Sequence, residues 1–204
     1  PVWERSTHAK EVDIALKDTC RTISGCLKPT PEGKLYPLAG IAPPYIRRKV
    51  ASRIEMQKAL TCPQHCMFGS ENSPQQRLKS RHGFLSSVQP LSTDPVMERL
   101  RMWKEECPED FVEPKETLPP GKNLEWPVWR SLNRLRVNVG RARANMVTWG
   151  FLEREDPALC ECGARQTMDH LRCCPSCPAS CSMDDLFVGG VGAVEVARHW
   201  ANTV

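Results

Sequence analysis

Residues Leu159 to Cys174 read LCECGARQTMDHLRCC and set Cys160, Cys162, His170 and Cys174 in a C-x-C-x7-H-x3-C arrangement. Three thiolates and one imidazole form the ligand set of a closed tetrahedral zinc site. The C-x-C step lets a tight turn present two sulfurs, and Gly163 directly after it tolerates the positive φ that such a turn requires. Thr167 is placed to cap a short helical turn, although His170 rather than an acid stands three residues later. On a helix His170 and Cys174, four residues apart, would share one face. Four protein ligands leave no position for water, so the expected zinc is structural and Asp169 stays outside the ligand set. Cys173 competes with Cys174 as fourth ligand, and Cys177 and Cys181 continue a four-residue spacing from it. So small a unit has little core, and metal-binding energies of about 10 kcal/mol or more in such sites are largely folding energy.

Just upstream lies the clearest helical pattern. Trp129, Leu132, Leu135, Val139, Ala142, Met146 and Trp149 recur every three or four residues, one apolar stripe down a helix that Pro127 starts and Gly150 stops. Asn138 and Gly140 mark a point where that helix would kink or split. Between Trp129 and Arg154 stand Arg130, Arg134, Arg136, Arg141, Arg143 and Arg154 against the single acid Glu153. Arginines flanking an apolar stripe suit a phosphate backbone, so Arg130, Arg134, Arg136, Arg141 and Arg143 are the candidate nucleic-acid contacts, positioning rather than reading bases.

The remainder predicts a mostly α fold: helical segments joined by proline-rich linkers, with a small CCHC zinc-knuckle-like unit near the C-terminus. Apolar spacing from Val12 to Leu27 predicts a helix of about four turns, stopped by Gly25, Pro29 and Pro31. A hydrophobic turn at Leu35 to Ile41 leads into a helix from Pro44 to Leu60, on which Arg47, Arg48 and Lys49 are expected as a solvated face, with nucleic-acid contact as the alternative. Residues 61–93 show no sustained period and are expected as a connector. Its Cys62, His65 and Cys66 lack a fourth ligand at compact spacing and are expected as loop residues with free thiols. A short helix from Pro95 to Glu106 precedes a proline-rich linker at 107–124, and Gly189-Gly190 breaks a terminal helix between Met183 and Trp200. The expected division is 1–60, 61–123 and 124–204.

Composition sets broader bounds. The 204 residues carry a net charge of only +4, with 40% hydrophobic and 25% charged residues, inside the globular range. Eleven cysteines cannot all pair within one chain, and a reducing, intracellular compartment with one metal site is expected. No apolar run approaches the roughly 20 residues that span a bilayer, so no membrane partner is expected. The chain opens on Pro1 and runs straight into VWERSTHAKEVDIAL, from which we expect sequence upstream.

WRSLNRLRVNVGRARANMVTWGF followed by CECGARQTMDHLRCCP resembles the region downstream of the reverse transcriptase core in jockey-like non-LTR retrotransposon polyproteins. The matching positions are Leu132 to Arg136, Gly140-Arg141, Trp149-Gly150, Cys160, Cys162, Gly163, Gln166, Thr167, His170, Cys174 and Pro175. PVW at Pro1 to Trp3, SGCLKPTP at Ser24 to Pro31 and LAGIAPPYIRRK at Leu38 to Lys49 look like the segment after that family's palm and thumb. The resemblance implies a parent with an endonuclease and an RNA-directed DNA polymerase, acting in the nucleus. Neither catalytic unit is visible: there is no F/Y-x-D-D box, and Asp13, Asp18, Asp94 and Asp110 form no recognisable two-metal cluster. The expected function is therefore a non-catalytic fragment that binds RNA or DNA through a zinc-stabilised basic module. The alternatives are a structural module docking on the parent polymerase through Trp126, Trp129, Trp149 and the zinc unit, or a decayed remnant.

Overall fold

The computed structural model of the chain describes residues 9–69, 88–91 and 93–204. Pro1 to Trp3 and most of the expected connector, 70–87 and residue 92, lie outside the described residues. Among the described residues the fold is mostly α, without a sheet; an isolated antiparallel bridge pairs Leu159 with Arg165. The helices are α1 (Ala9–Ser24), α2 (Glu32–Ala39), α3 (Pro44–Thr61), α4 (Pro95–Glu106), α5 (Trp126–Val137), α6 (Arg143–Thr148), α7 (Met168–Leu171), α8 (Met183–Val188) and α9 (Val191–His199). No helix among the described residues is long and apolar enough to cross a membrane.

Two compact units emerge, and they cut across the segments 1–60, 61–123 and 124–204. One comprises Pro1–Leu16 with Ala42–Glu106, the other Lys17–Ile41 with Cys107–Val204, the division falling inside α1. Sequence-contiguous segments miss this because the end of α1 finds its partners on α5 more than a hundred residues downstream.

In the first unit α3 packs on α4, and Ile46, Val50, Met56 and Ala59 of α3 and Met102 and Trp103 of α4 are buried. Pro44 stands in the first turn of α3, where its missing N–H costs no helical bond. Asp94 starts α4 by accepting from the amides of Val96 and Met97 at 2.9 and 3.1 Å. Glu98, buried within that helix, is held by Arg53 and by Arg101 at 2.9 and 3.0 Å. Asp13 of α1 likewise engages both terminal nitrogens of Arg48.

The second unit is built around α5, which packs on α8 and α9. Val128, Leu132 and Leu135 share a core with Leu186 of α8, Val196 and Ala197 of α9, and Cys160, Met168, Leu171 and Cys174. The expected zinc unit thus has no separate core. The stretch 107–124 is not a free linker: it forms no helix, but Phe111, Val112, Pro114 and Pro119 are buried. The expected turn at Leu35 to Ile41 is instead the helix α2, in which burial of Leu35, Tyr36, Leu38 and Ala39 outweighs the bond lost at Pro37.

The long helix expected from Trp129 to Trp149 is two helices. Asn138 ends α5 in the left-handed region at φ 59, and Gly140 passes so close to Met168 and Val204 that a Cβ there would lie 2.6–2.8 Å from their side-chain atoms. The polar side of α5 is buried as well, because the end of α1 lies on it. Trp129 Nε1, Asn133 Nδ2 and Arg134 Nε donate to the carbonyls of Ile23, Ser24 and Gly25 at 3.0, 2.9 and 2.8 Å. Those are carbonyls that a helix terminus leaves without intrahelical partners, and a cation suits that end of the helix dipole. Gly25, at φ +71, permits the approach, since a Cβ there would overlap Arg130.

Candidate metal centre

Residues 158–166 fold back on themselves. The amide of Cys160 donates to Ala164 O and that of Gln166 to Ala158 O, both at 2.7 Å, and Gly163 N closes the tip on Cys160 O at 2.9 Å. Gly163 sits at φ +85 with open space around it, so the turn itself demands the glycine. Thr167 then caps α7, its side chain accepting from His170 N at 3.1 Å. That helix stops at Leu171, earlier than a shared His170 and Cys174 face requires. A following turn, with Cys173 N bonded to His170 O at 3.1 Å, brings Cys174 back instead.

The four expected ligands converge: the ligand atoms of Cys160, Cys162, His170 and Cys174 all lie within 4.8 Å of one another. The separations are 3.5 Å for Cys160 Sγ to Cys174 Sγ, 3.7 Å for Cys162 Sγ to Cys174 Sγ, and 3.3 Å for Cys162 Sγ to His170 Nε2. Around a tetrahedral zinc with bonds of about 2.3 Å to sulfur and about 2.0 Å to nitrogen, two sulfurs lie about 3.8 Å apart and sulfur and nitrogen about 3.5 Å. These three edges come close to those lengths, every other ligand-atom pair lies within 4.8 Å, and the sulfur–sulfur separations are far longer than a disulfide bond of about 2.05 Å. The donor set and spacing therefore fit a four-coordinate zinc held by Cys160, Cys162, Cys174 and Nε2 of His170. Among the described residues no other group of His, Cys, Asp and Glu converges in this way.

Burial and hydrogen bonding act against each other on the sulfurs. Desolvation disfavours the Cys160 thiolate, but the Cys162 amide, His170, Cys174 and Gln166 bond to it and carry its pKa down to about 6. Burial, reinforced by the neighbouring sulfurs of Cys160 and Cys162, pushes the Cys174 thiol up. The first thiolate is thus favoured before metal arrives, and a cation would draw the protons from the rest.

The neighbouring residues divide clearly. Cys173 is exposed and points at Asp169 O, 3.7 Å away, so Cys174 is the fourth member of the cluster. Asp169 is paired with Arg172 at 2.6 Å, and that bond lowers its pKa. Cys62, His65 and Cys66 do not converge: Cys62 bonds Gln64 at 3.3 Å, and His65 faces Glu55 at 3.5 Å. Gln166 has a role that spacing alone did not reveal. Buried, it accepts from Arg143 N at 3.0 Å and also reaches Cys160, tying the start of α6 to the metal loop. Its sequence signals were its place just before the capping threonine and its match to the family pattern, neither of which states what it bonds. Trp200 completes the frame by donating to Leu171 O at 3.0 Å.

The expected nucleic-acid contacts need correction. Arg136 is fully buried, giving its hydrogens to Leu186 O and Pro120 O, both at 2.7 Å, and to Asn133 Oδ1 at 2.9 Å. Arg134 is buried too and bonds the carbonyls of Gly25 and Val204. Desolvation lowers the pKa of each to about 10, yet both remain cations at neutral pH. Neither can meet a phosphate without unfolding its surroundings. Arg130 is half-buried and donates to Ala201 O at 3.2 Å, while Arg143 is exposed but paired with Asp156 at 2.7 Å. Arg141 is exposed. Trp129, expected as a docking residue, is likewise buried, whereas Trp126 is half exposed. No protein-family model, curated protein or solved structure matches this chain.

Proposed function

We propose that this chain is a zinc-stabilised, non-catalytic module of a jockey-like non-LTR retrotransposon polyprotein that binds the backbone of RNA or DNA. The convergence of the ligand atoms of Cys160, Cys162, His170 and Cys174 to within 4.8 Å of one another carries the reading. The zinc supplies cross-linking, since all four positions belong to the protein and its ligands share one core with α5, α8 and α9. Nucleic acid as partner follows from the resemblance of residues 129–175 to the region downstream of a retroelement polymerase, and from cationic side chains that remain exposed. RNA-directed polymerisation would belong to the parent.

Metal quantification on the full chain, reduced and desalted, tests the zinc. One equivalent is expected for the natural sequence and far less for Cys162→Ser and His170→Ala; natural chain that is folded and metal-free would refute it. Salt-dependent binding to single-stranded and duplex oligonucleotides tests the partner. The full chain is needed because residues 124–204 lack the end of α1 and α2, which belong to the same compact unit.

A second reading, docking onto the parent polymerase, is favoured by the charge of the zinc-bearing unit. That unit holds fifteen lysines and arginines against fifteen acids, and two of its cations are buried. Zinc-loaded chain that ignores nucleic acid yet associates with the polymerase core would establish this reading in place of the first.

A further inference from the structure

We infer that the groove beside Phe187 docks an extended, acidic peptide of a partner protein, whose carboxylate meets Lys122 and whose main chain pairs with the stretch from Phe111 to Lys115. The inference goes beyond both readings above, since it needs neither a nucleic acid nor the parent polymerase. The groove encloses about 730 Å³, and every residue lining it belongs to the zinc-bearing unit. Its apolar walls are Pro37 of α2, then Phe111, Leu118 and Leu124 of the stretch before α5, and Phe187 and Val188 at the end of α8. The rings of Phe111 and Phe187 meet edge to face with centres 5.4 Å apart, which fixes one wall. Val188 stays 66% exposed beside it.

The stretch from Phe111 to Lys115 supplies the hydrogen-bonding groups. Phe111 and Val112 are buried, and among the described residues neither the amide nor the carbonyl of Phe111, Val112 or Lys115 has a partner. Main-chain groups at buried positions are almost always paired, and an extended peptide is the ligand that pairs with several of them in a row. Pro114 removes one donor from the row, which a sheet edge tolerates. Charge sets the chemistry of the partner. Glu113 holds Lys115 at 2.8 Å, so Lys122 is the lining cation that no acid engages among the described residues. A single uncompensated ammonium beside apolar walls suits one carboxylate flanked by aliphatic side chains, and it is too little charge to hold a phosphate backbone.

The test uses the full, zinc-loaded chain and labelled peptides of about eight residues, read by fluorescence anisotropy. One peptide alternates valine with glutamate, a second alternates valine with lysine, and a third is the glutamate peptide with its amides N-methylated. The glutamate peptide should bind, and the other two should bind at least about tenfold more weakly. Val188→Asp should weaken the glutamate peptide by about tenfold or more, and Lys122→Glu should turn the preference toward the lysine peptide. Val191→Asp, at an 83% exposed residue outside the groove, should change nothing. Circular dichroism and zinc content check that each variant remains folded. The inference is overturned by a natural chain that binds neither charged peptide, by a glutamate peptide indifferent to N-methylation or to both groove substitutions, or by its displacement with a single-stranded oligonucleotide. The nucleic-acid reading is decided separately, by the salt-dependent binding of oligonucleotides to the same chain.

Discussion

Replacing Arg136 with alanine separates a structural arginine from a phosphate-binding one. The guanidinium, fully buried, serves three acceptors: the carbonyls of Leu186 and Pro120 at 2.7 Å and Asn133 Oδ1 at 2.9 Å. Each acceptor stranded without a donor costs about 1–3 kcal/mol, and relief from burying an unpaired cation returns part of that sum. The expected net loss is about 3 kcal/mol, which for a chain of this size lowers the melting temperature by about 6–12 °C. Tryptophan fluorescence is a local reporter, because the guanidinium carbon lies 5.9 Å from the centre of the Trp129 ring. Arg136→Lys should recover only part of the loss, since one ammonium cannot reproduce the planar fork that spans three acceptors. Nucleic-acid affinity of the folded variant should not change. Arg136→Ala that melts like the natural chain but binds oligonucleotides more weakly would refute the buried-staple reasoning.

Two further outcomes follow from other sites. Cys174→Ser should lower zinc affinity by at least tenfold and destabilise the core that Cys174 shares with Leu171 and Trp200, whereas exposed Cys173→Ser should retain one zinc per chain; metal titration with a chromogenic chelator would show the ligand choice wrong if the two variants behave alike. In the first unit, the bonds from Arg101 lower the pKa of Glu98 despite burial, with Arg53 adding to them. A depressed carboxyl stabilises the fold above its unfolded pKa of about 4.3 and loses that contribution as pH falls through the folded value. Urea unfolding should therefore show a loss of stability on acidification that Glu98→Gln removes, at a cost of about 2 kcal/mol near neutrality. Equal stability of Glu98→Gln and the natural chain at pH 7 would sink that account.

The ligand quartet was legible because its geometry is local. Sixteen residues contain all four donors, and a C-x-C turn, a positive-φ glycine and a capping threonine suffice to fold them inward. The helix from Pro95 to Glu106 matched residue for residue and α3 to within one residue, because apolar period and proline placement act within a few turns. Asn138 and Gly140 marked the break between α5 and α6, though only contact with Met168 and Val204 shows why the glycine is needed. The helix α2 was missed because Pro37 opposes it locally and only burial of its neighbours repays the lost bond.

Sequence by itself determined the helical class, the helix ends set by proline and glycine, and the four atoms able to hold a metal. Tertiary structure alone decided the fate of the arginines. An amphipathic pattern says which side of α5 is apolar, but not whether water or protein covers the other side. Here the carboxyl end of α1 covers it, and its unsatisfied carbonyls turn Arg134 and Asn133 inward, while the end of α8 and Pro120 claim Arg136. A buried guanidinium and a solvated one are the same letter in a sequence. Only the partners brought to it by the distant chain tell them apart.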